Sequence, residues 1–286
     1  MKSAGFHYHD PHRLDEVLGL LASLDNARLL AGGQSLMPML NLRLVYPDHL
    51  IDLNRVEGLA GIAATETGLR IGAMTRQRAL EDSPDILRRC PLMAEALTQI
   101  GHRQTRNRGT IGGSLCHLDP SAELVSVAAA LDAEILVAGP AGQRRIAMTD
   151  FPAGFMTPSL APEEIVTAID LPDWPAGHGH SFGEFARRHG DYAIVSAAVL
   201  LLRGADGRLS RASITLGGVG HAPLRLLAAE ALLQGAAPSE ALFRDAAATC
   251  RDIDAISDPA VPGWYRQRVA EVLVRRGLGI AFGRAA

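Results

Sequence analysis

The sequence predicts an α+β fold in two parts, and three observations carry that expectation. Apolar residues recur at helical spacing in several stretches, while short alternating runs between them read as strands. Two strand-like runs, far apart in the chain, each end in a glycine pair: Ala31-Gly32-Gly33-Gln34-Ser35 and Thr110-Ile111-Gly112-Gly113-Ser114. Between residues 172 and 180, Pro172, Pro175, Gly177 and Gly179 punctuate a linker, beyond which strands come first and helices last. The expected boundaries are a domain over residues 1–175, itself divided at about 57/58, and a smaller domain over 178–286.

In chain order, Asp10-Pro11 offers a cap and a first-turn proline ahead of the stripe Leu14, Val17, Leu18, Leu21 and Leu24, the first helix. Residues 27–31 read as a buried strand delivering the first glycine pair. The Met-rich run 35–44 reads as a short helix with Pro38 in its first turn, its methionines belonging to the core rather than to a ligand site. Residues 49–56 suggest a strand and 61–73 a hairpin. A helix begins at Thr75, and another spans about 84–100, kinked or split at Pro91. Residues 101–109 read as a polar loop carrying Arg103, Arg106 and Arg108. Asp119-Pro120 is expected to cap a helix running to Leu131. Strands follow at 134–138, 144–148 and 164–171, with 151–160 a connection. Past the linker, 182–188, 192–203 and 209–216 form a three-stranded antiparallel sheet with Asp206-Gly207 at one turn, and helices near 224–233, 239–250 and 262–276 close the chain.

Composition narrows the function classes. A net charge of -3 over 286 residues argues against a nucleic-acid surface, which needs excess Lys and Arg. Three cysteines, Cys90, Cys116 and Cys250, are too few and too scattered for a disulfide framework, a zinc site or a four-cysteine iron-sulfur site. No 18-residue apolar run and no signal-like N-terminus is present, so a cytoplasmic protein without a membrane span is expected. Neither a nucleophile elbow nor a His-Glu-x-x-His spacing occurs, and no catalytic side chain is assigned.

The glycine pairs carry the chemistry. Glycine lets the backbone take positive φ and approach a bulky group, and consecutive amides turned one way make a partly positive cradle for phosphate. Neither loop is Gly-x-Gly-x-x-Gly, and no Gly-Lys-Ser/Thr follows either, so the usual dinucleotide and Walker fingerprints are excluded. Glu123, on the first turn of its helix, can accept from a ribose diol or simply stabilise the helix end.

The two loops, together with Asp119-Pro120-Ser121-Ala122-Glu123, Arg187-Arg188-His189-Gly190-Asp191-Tyr192-Ala193 and Leu216-Gly217-Gly218-Val219, resemble the FAD-binding medium subunit of the molybdenum hydroxylases, the carbon monoxide and xanthine dehydrogenase family. The resemblance spans essentially the whole chain. It implies a two-part FAD-binding domain of the vanillyl-alcohol-oxidase/PCMH type followed by a small α/β C-terminal domain. It also implies noncovalent FAD held by Leu29, Leu30, Ala31, Gly32, Gly33, Gln34, Ser35 and Leu36, by Ile100, and by Thr110, Ile111, Gly112, Gly113 and Ser114. His117, Asp119, Glu123, Leu160, Val166, Arg187 and Tyr192 complete that implied set. Ala186 stands where part of the family carries a cofactor-contacting lysine, which leaves Arg187 or Arg188 as substitutes.

The resemblance further implies an iron-sulfur small subunit with [2Fe-2S] clusters and a large subunit with the molybdenum cofactor as partners, and NAD, a quinone or oxygen as acceptor. Gln34 replaces the histidine expected of carbon monoxide dehydrogenases in the first loop, which counts against that substrate. A stand-alone flavin oxidase and a non-redox nucleotide-binding module are the alternative functions.

Overall fold

The computed structural model describes residues 2–286. The chain opens with β1 (His7–His9), α1 (Leu14–Ser23), β2 (Ala27–Leu30), α2 (Leu36–Asn41) and β3 (His49–Asp52). The three strands form a parallel sheet in the order β1-β3-β2. Val17 of α1 is buried against Ile51, Leu53, Val56 and Leu59, so one face of this small sheet is covered, and the C-terminal ends of β2 and β3 border a cleft.

The next stretch comprises β4 (Ile62–Ala64), β5 (Gly68–Gly72), α3 (Gln77–Glu81), α4 (Pro84–Arg89), α5 (Pro91–Gln99), α6 (Arg103–Arg108), α7 (Ile111–His117) and α8 (Glu123–Ala130). It ends with β6 (Glu134–Gly139), β7 (Gly142–Ala147), β8 (Pro152–Gly154), β9 (Thr157–Pro158) and β10 (Ile165–Pro172). An antiparallel sheet runs β4-β5-β10-β6-β7, and β8 pairs with β9 in place of the expected irregular connection. Pro91 divides α4 from α5, as a ring without an N–H must.

The last part holds β11 (Gly179–Phe185), β12 (Val195–Arg203), β13 (Leu209–Gly217), β14 (Leu224–Arg225), α9 (Leu227–Leu233), α10 (Glu240–Ala248) and α11 (Gly263–Arg284). The sheet is four-stranded, β11-β12-β13-β14, which corrects the expected three strands. The extra strand is two residues long, and Arg225 pins it, bonding Glu230 at 2.6 Å and Asp132 at 2.7 Å. β12 is apolar from Ala197 to Leu202 because both its faces are covered. Val195, Ala197, Val199 and Leu201 face the helices of the last part, while Ala198 and Leu200 join the larger core beside α5 and α8.

Two other expectations change near the site. Residues 103–108 are helical, not looped; without an apolar stripe the helix has no periodic signal, and Arg106 anchors it on Glu81 (2.8 Å) and on the Ile100 carbonyl (2.8 Å). Asp119 does not cap α8, whose N-cap is Ala122; its carboxylate accepts from the Ser121 amide at 2.9 Å within the preceding turn.

Candidate functional site

Strand β2 points Leu29 and Leu30 to opposite sides. Leu29 packs against the small core and Leu30 faces a cleft of about 370 Å³. Ala31, Gly32, Gly33, Gln34, Met37 and Pro38 continue that wall, and Asp52, Asn54 and Arg108 close it. The expectation that the Met-rich run is core holds for Leu40, which is buried, but Met37 and Pro38 face the cleft.

Gly33 has φ +73°, the left-handed region glycine tolerates best, and turns the chain into α2. Among the described residues, the amides of Gly32, Gly33, Gln34 and Ser35 donate to no protein acceptor. Four consecutive unclaimed donors beside a cleft form an anion cradle. The Gln34 side chain stiffens it by donating to the Gly32 carbonyl at 3.1 Å.

The second loop is built differently. Gly112 and Gly113 lie in the first turn of α7, capped by Thr110, whose hydroxyl accepts from the Gly113 amide at 3.1 Å. The Ile111 amide bonds the Thr75 carbonyl at 3.2 Å, that of Gly112 the Ala73 carbonyl at 2.9 Å, and that of Ser114 the Thr110 carbonyl at 3.1 Å. These donors are occupied, so the free amide cradle is in the first loop alone. A Cβ on Gly112 would lie 2.6 Å from that of Ala73, so this glycine makes room for close packing inside the protein.

The two loops touch. A side chain on Gly32 would run into the Arg108 carbonyl oxygen and lie 2.8 Å from the Gly109 α-carbon, and a Cβ on Gly113 would be 3.5 Å from that of Ala31. Residues 110–114 therefore back the cleft while residues 30–34 line it.

Of the arginines in and near α6, Arg106 is spent on Glu81, Arg103 is exposed and stands in no ion pair among the described residues, and Arg108 lines the cleft. Arg187 borders a second cavity of about 580 Å³ with Ser121, Asp191, Tyr192 and Arg266. The loop carrying it rests on Gly101 and His102, the nearest neighbours of Gly190.

Tyr192 connects the two regions. The residue is 53% exposed, yet its hydroxyl is pushed up to about 12, first by burial and then by Asp119, with Glu123 adding to the shift and Ser35 opposing it. Glu123 is only 5% exposed; burial, then the nearby carboxylates of Glu184 and Asp119, raise its carboxyl to about 8. Burial likewise lifts Glu184 to about 7, and its Oε2 has no partner among the described residues. Glu184 pairs across the sheet with Ser196, which pairs with Gly217, so the row faces α8. His117 is lowered by burial.

Ile100 and Val166 are 8% and 4% exposed within the main core, and Leu160 packs against it, so none of these three lines the cleft. Sequence reasoning did not single out Asp52, Asn54, Arg76 or Glu184. The polar Asp52-Leu53-Asn54 ending of a strand was the available signal for the first two. Burial pushes all three thiols up to about 12, and no group of three or more His, Cys, Asp or Glu among the described residues is placed to hold a metal.

An open-edged cleft with unclaimed amides, a cation and two abutting glycine loops defines a binder of a phosphate-bearing cofactor. Residues 4–174 match the family described as FAD binding domain in molybdopterin dehydrogenase, and residues 180–281 match the CO dehydrogenase flavoprotein C-terminal domain. The chain belongs to this flavoprotein family of the molybdopterin dehydrogenases. It is 39% identical to the 6-hydroxypseudooxynicotine dehydrogenase complex subunit alpha of Paenarthrobacter nicotinovorans over 100% of this chain and 97% of the relative. It is 37% identical to the carbon monoxide dehydrogenase medium chain of Afipia carboxidovorans over 100% and 99%. A carbon monoxide dehydrogenase structure from Hydrogenophaga pseudoflava, lacking the Mo-pyranopterin moiety, superposes with TM-score 0.96 at 37% identity over all of both chains. Quinoline 2-oxidoreductase from Pseudomonas putida 86 superposes with TM-score 0.94 at 35% identity over 99% of each.

Proposed function

We propose that this chain is the electron-transfer subunit of a heterotrimeric molybdenum hydroxylase, binding FAD noncovalently. In this reading its partners are a small subunit with [2Fe-2S] clusters and a large subunit with the molybdenum cofactor, in the cytoplasm. One observation carries the proposal: the four unclaimed amides of Gly32 to Ser35 belong to one turn, whose Gly32, Gly33 and Gln34 line a cleft that Arg108 also lines. A dinucleotide diphosphate fits that donor set by charge and by hydrogen-bond count. The relatives named carbon monoxide dehydrogenase medium chain and nicotine 6-hydroxylase medium subunit support a multi-subunit setting.

In this reading the amides of residues 32–35 and the Arg108 guanidinium hold the diphosphate, Glu123 meets a ribose diol, and Tyr192 covers the ring system from the C-terminal side. The first domain, over about 1–175, is of the vanillyl-alcohol-oxidase/PCMH type, and the second covers about 178–286. When bound, the flavin supplies redox chemistry in one- and two-electron steps; the protein binds, orients and shields it. The acceptor is NAD, a quinone or oxygen. Purification of the intact assembly tests the proposal. The expected result is three chains, a flavin absorption band released by acid precipitation, and molybdenum and iron-sulfur signals on the other two. A chain that purifies alone and takes up no added FAD overturns it.

A further inference from the structure

The two glycine loops come from different parts of the fold, yet they meet within the width of one glycine, and something must hold them there. The second is sewn by its backbone to the segment before α3: the Gln77 amide bonds the Gly109 carbonyl at 2.8 Å and Ile111 bonds Thr75 at 3.2 Å. The first is tied to the end of β3, where the Leu53 amide bonds the Leu30 carbonyl at 2.9 Å and the Asn54 side-chain amide donates to the Ala31 carbonyl at 3.1 Å.

Arg76 joins these two assemblies. One arm of its guanidinium donates to the Asn54 Oδ1 at 2.5 Å, and the other donates to the Arg108 carbonyl, the same oxygen that stands against Gly32. Asn54 is held in turn: its amide donates to Asp52 Oδ1 at 2.9 Å, and the Tyr8 hydroxyl donates to Asp52 Oδ2 at 2.6 Å. Arg76 is only partly exposed, lies outside the cleft wall and is in no ion pair among the described residues. Its fork therefore serves two neutral acceptors at once, which a planar guanidinium suits and a single ammonium does not.

We infer that Arg76 is a positioning residue: with Asn54 it forms a strut that fixes the spacing of the two glycine loops, and so sets the affinity for the cofactor diphosphate without contacting it. This deepens the FAD reading above and rests on it. Losing the strut lets the Arg108 segment drift from the Gly32 turn, so the amide cradle and the cation no longer face one anion at the same time.

The test is titration of the full chain, stripped of flavin, with FAD, read by quenching of flavin fluorescence. The variants are Arg76→Met, Asn54→Ala, the two combined, and Arg76→Lys. Each of the first two is expected to raise the Kd roughly 10- to 100-fold, the cost of hydrogen bonds made by a charged group. The combined variant is expected to be no more than about threefold weaker than the worse single one, because one strut is removed once. Arg76→Lys keeps the charge and is expected to recover little. At saturating FAD, the visible spectrum and midpoint potential of Arg76→Met and Arg76→Lys stay at the wild-type values, because Arg76 lies outside the cleft wall; a general loss of structure would not permit this.

Wild-type affinity in Arg76→Met, losses that multiply in the combined variant, or full recovery by lysine would each overturn the strut. If Arg76→Met does not fold, Asn54→Ala and Arg76→Lys decide by the same criteria. A wild-type chain that binds no FAD sinks the underlying reading, and the strut with it. Wild-type and variant chains that bind alike sink the strut alone.

Discussion

The α-carbon of Gly32 stands against the carbonyl oxygen of Arg108, so two turns 76 positions apart in the sequence share one contact with no room for a side chain. Gly32→Val is expected to force them apart and weaken FAD binding by more than roughly 100-fold. Fluorescence titration checks this, and retention of FAD by the valine variant would show that the contact does not govern the site.

Gly112 behaves differently, because its missing side chain makes room for Ala73 inside the protein. Gly112→Ala is expected to destabilise the flavin-free chain by about 1 to 3 kcal/mol, the cost of overpacking a tight interior. Urea denaturation of the flavin-free chain measures it. An unchanged midpoint together with lost FAD binding would instead place Gly112 at the ligand.

Two arginines in α6 separate structure from binding. Arg106 is fully engaged by Glu81 and the Ile100 carbonyl, so Arg106→Ala is expected to cost about 2 kcal/mol of stability. Arg108→Ala is expected to leave the melting temperature near the wild-type value and weaken FAD binding at least tenfold, since Arg108 lines the cleft and its side chain stands in no ion pair among the described residues. The opposite pattern would reverse the two assignments.

Glu123 gives the chain a pH dependence with a definite sign. Folded, its carboxyl titrates at about 8 against an ordinary 4.5, so the folded state keeps a proton that the unfolded chain gives up. The stability it contributes is complete below about 4.5 and is lost as pH rises toward 8; Glu184, titrating at about 7, adds in the same direction. Thermal melts of the flavin-free chain should therefore decline between pH 5 and 8, and Glu123→Gln should flatten part of that decline. An identical slope in the variant would show that the carboxyl is not held neutral.

Sequence carried the architecture where periodicity or punctuation was strong. The Leu14-to-Leu24 stripe, the split at Pro91 and the turn at Asp206-Gly207 are all seen in the structure. It was silent where tertiary contacts decide: α6 has no apolar face and depends on Arg106, and β14 depends on Arg225. The glycine pairs stood out in the sequence, but not the difference in how their amides are used. Which amides stay free is set by the carbonyls of Ala73 and Thr75, neither of which any local pattern marks. Arg76 carried no local signal and Asn54 only that of a polar strand end, since the contacts they make bridge segments distant in the chain.

The most direct measurement is a crystal structure of the full chain with FAD bound. The expected result is diphosphate density within hydrogen-bond distance of the amides of Gly32 to Ser35 and of the Arg108 guanidinium. Density for the diphosphate elsewhere, such as the cavity beside Arg187, would contradict the convergence of the two loops on one cofactor.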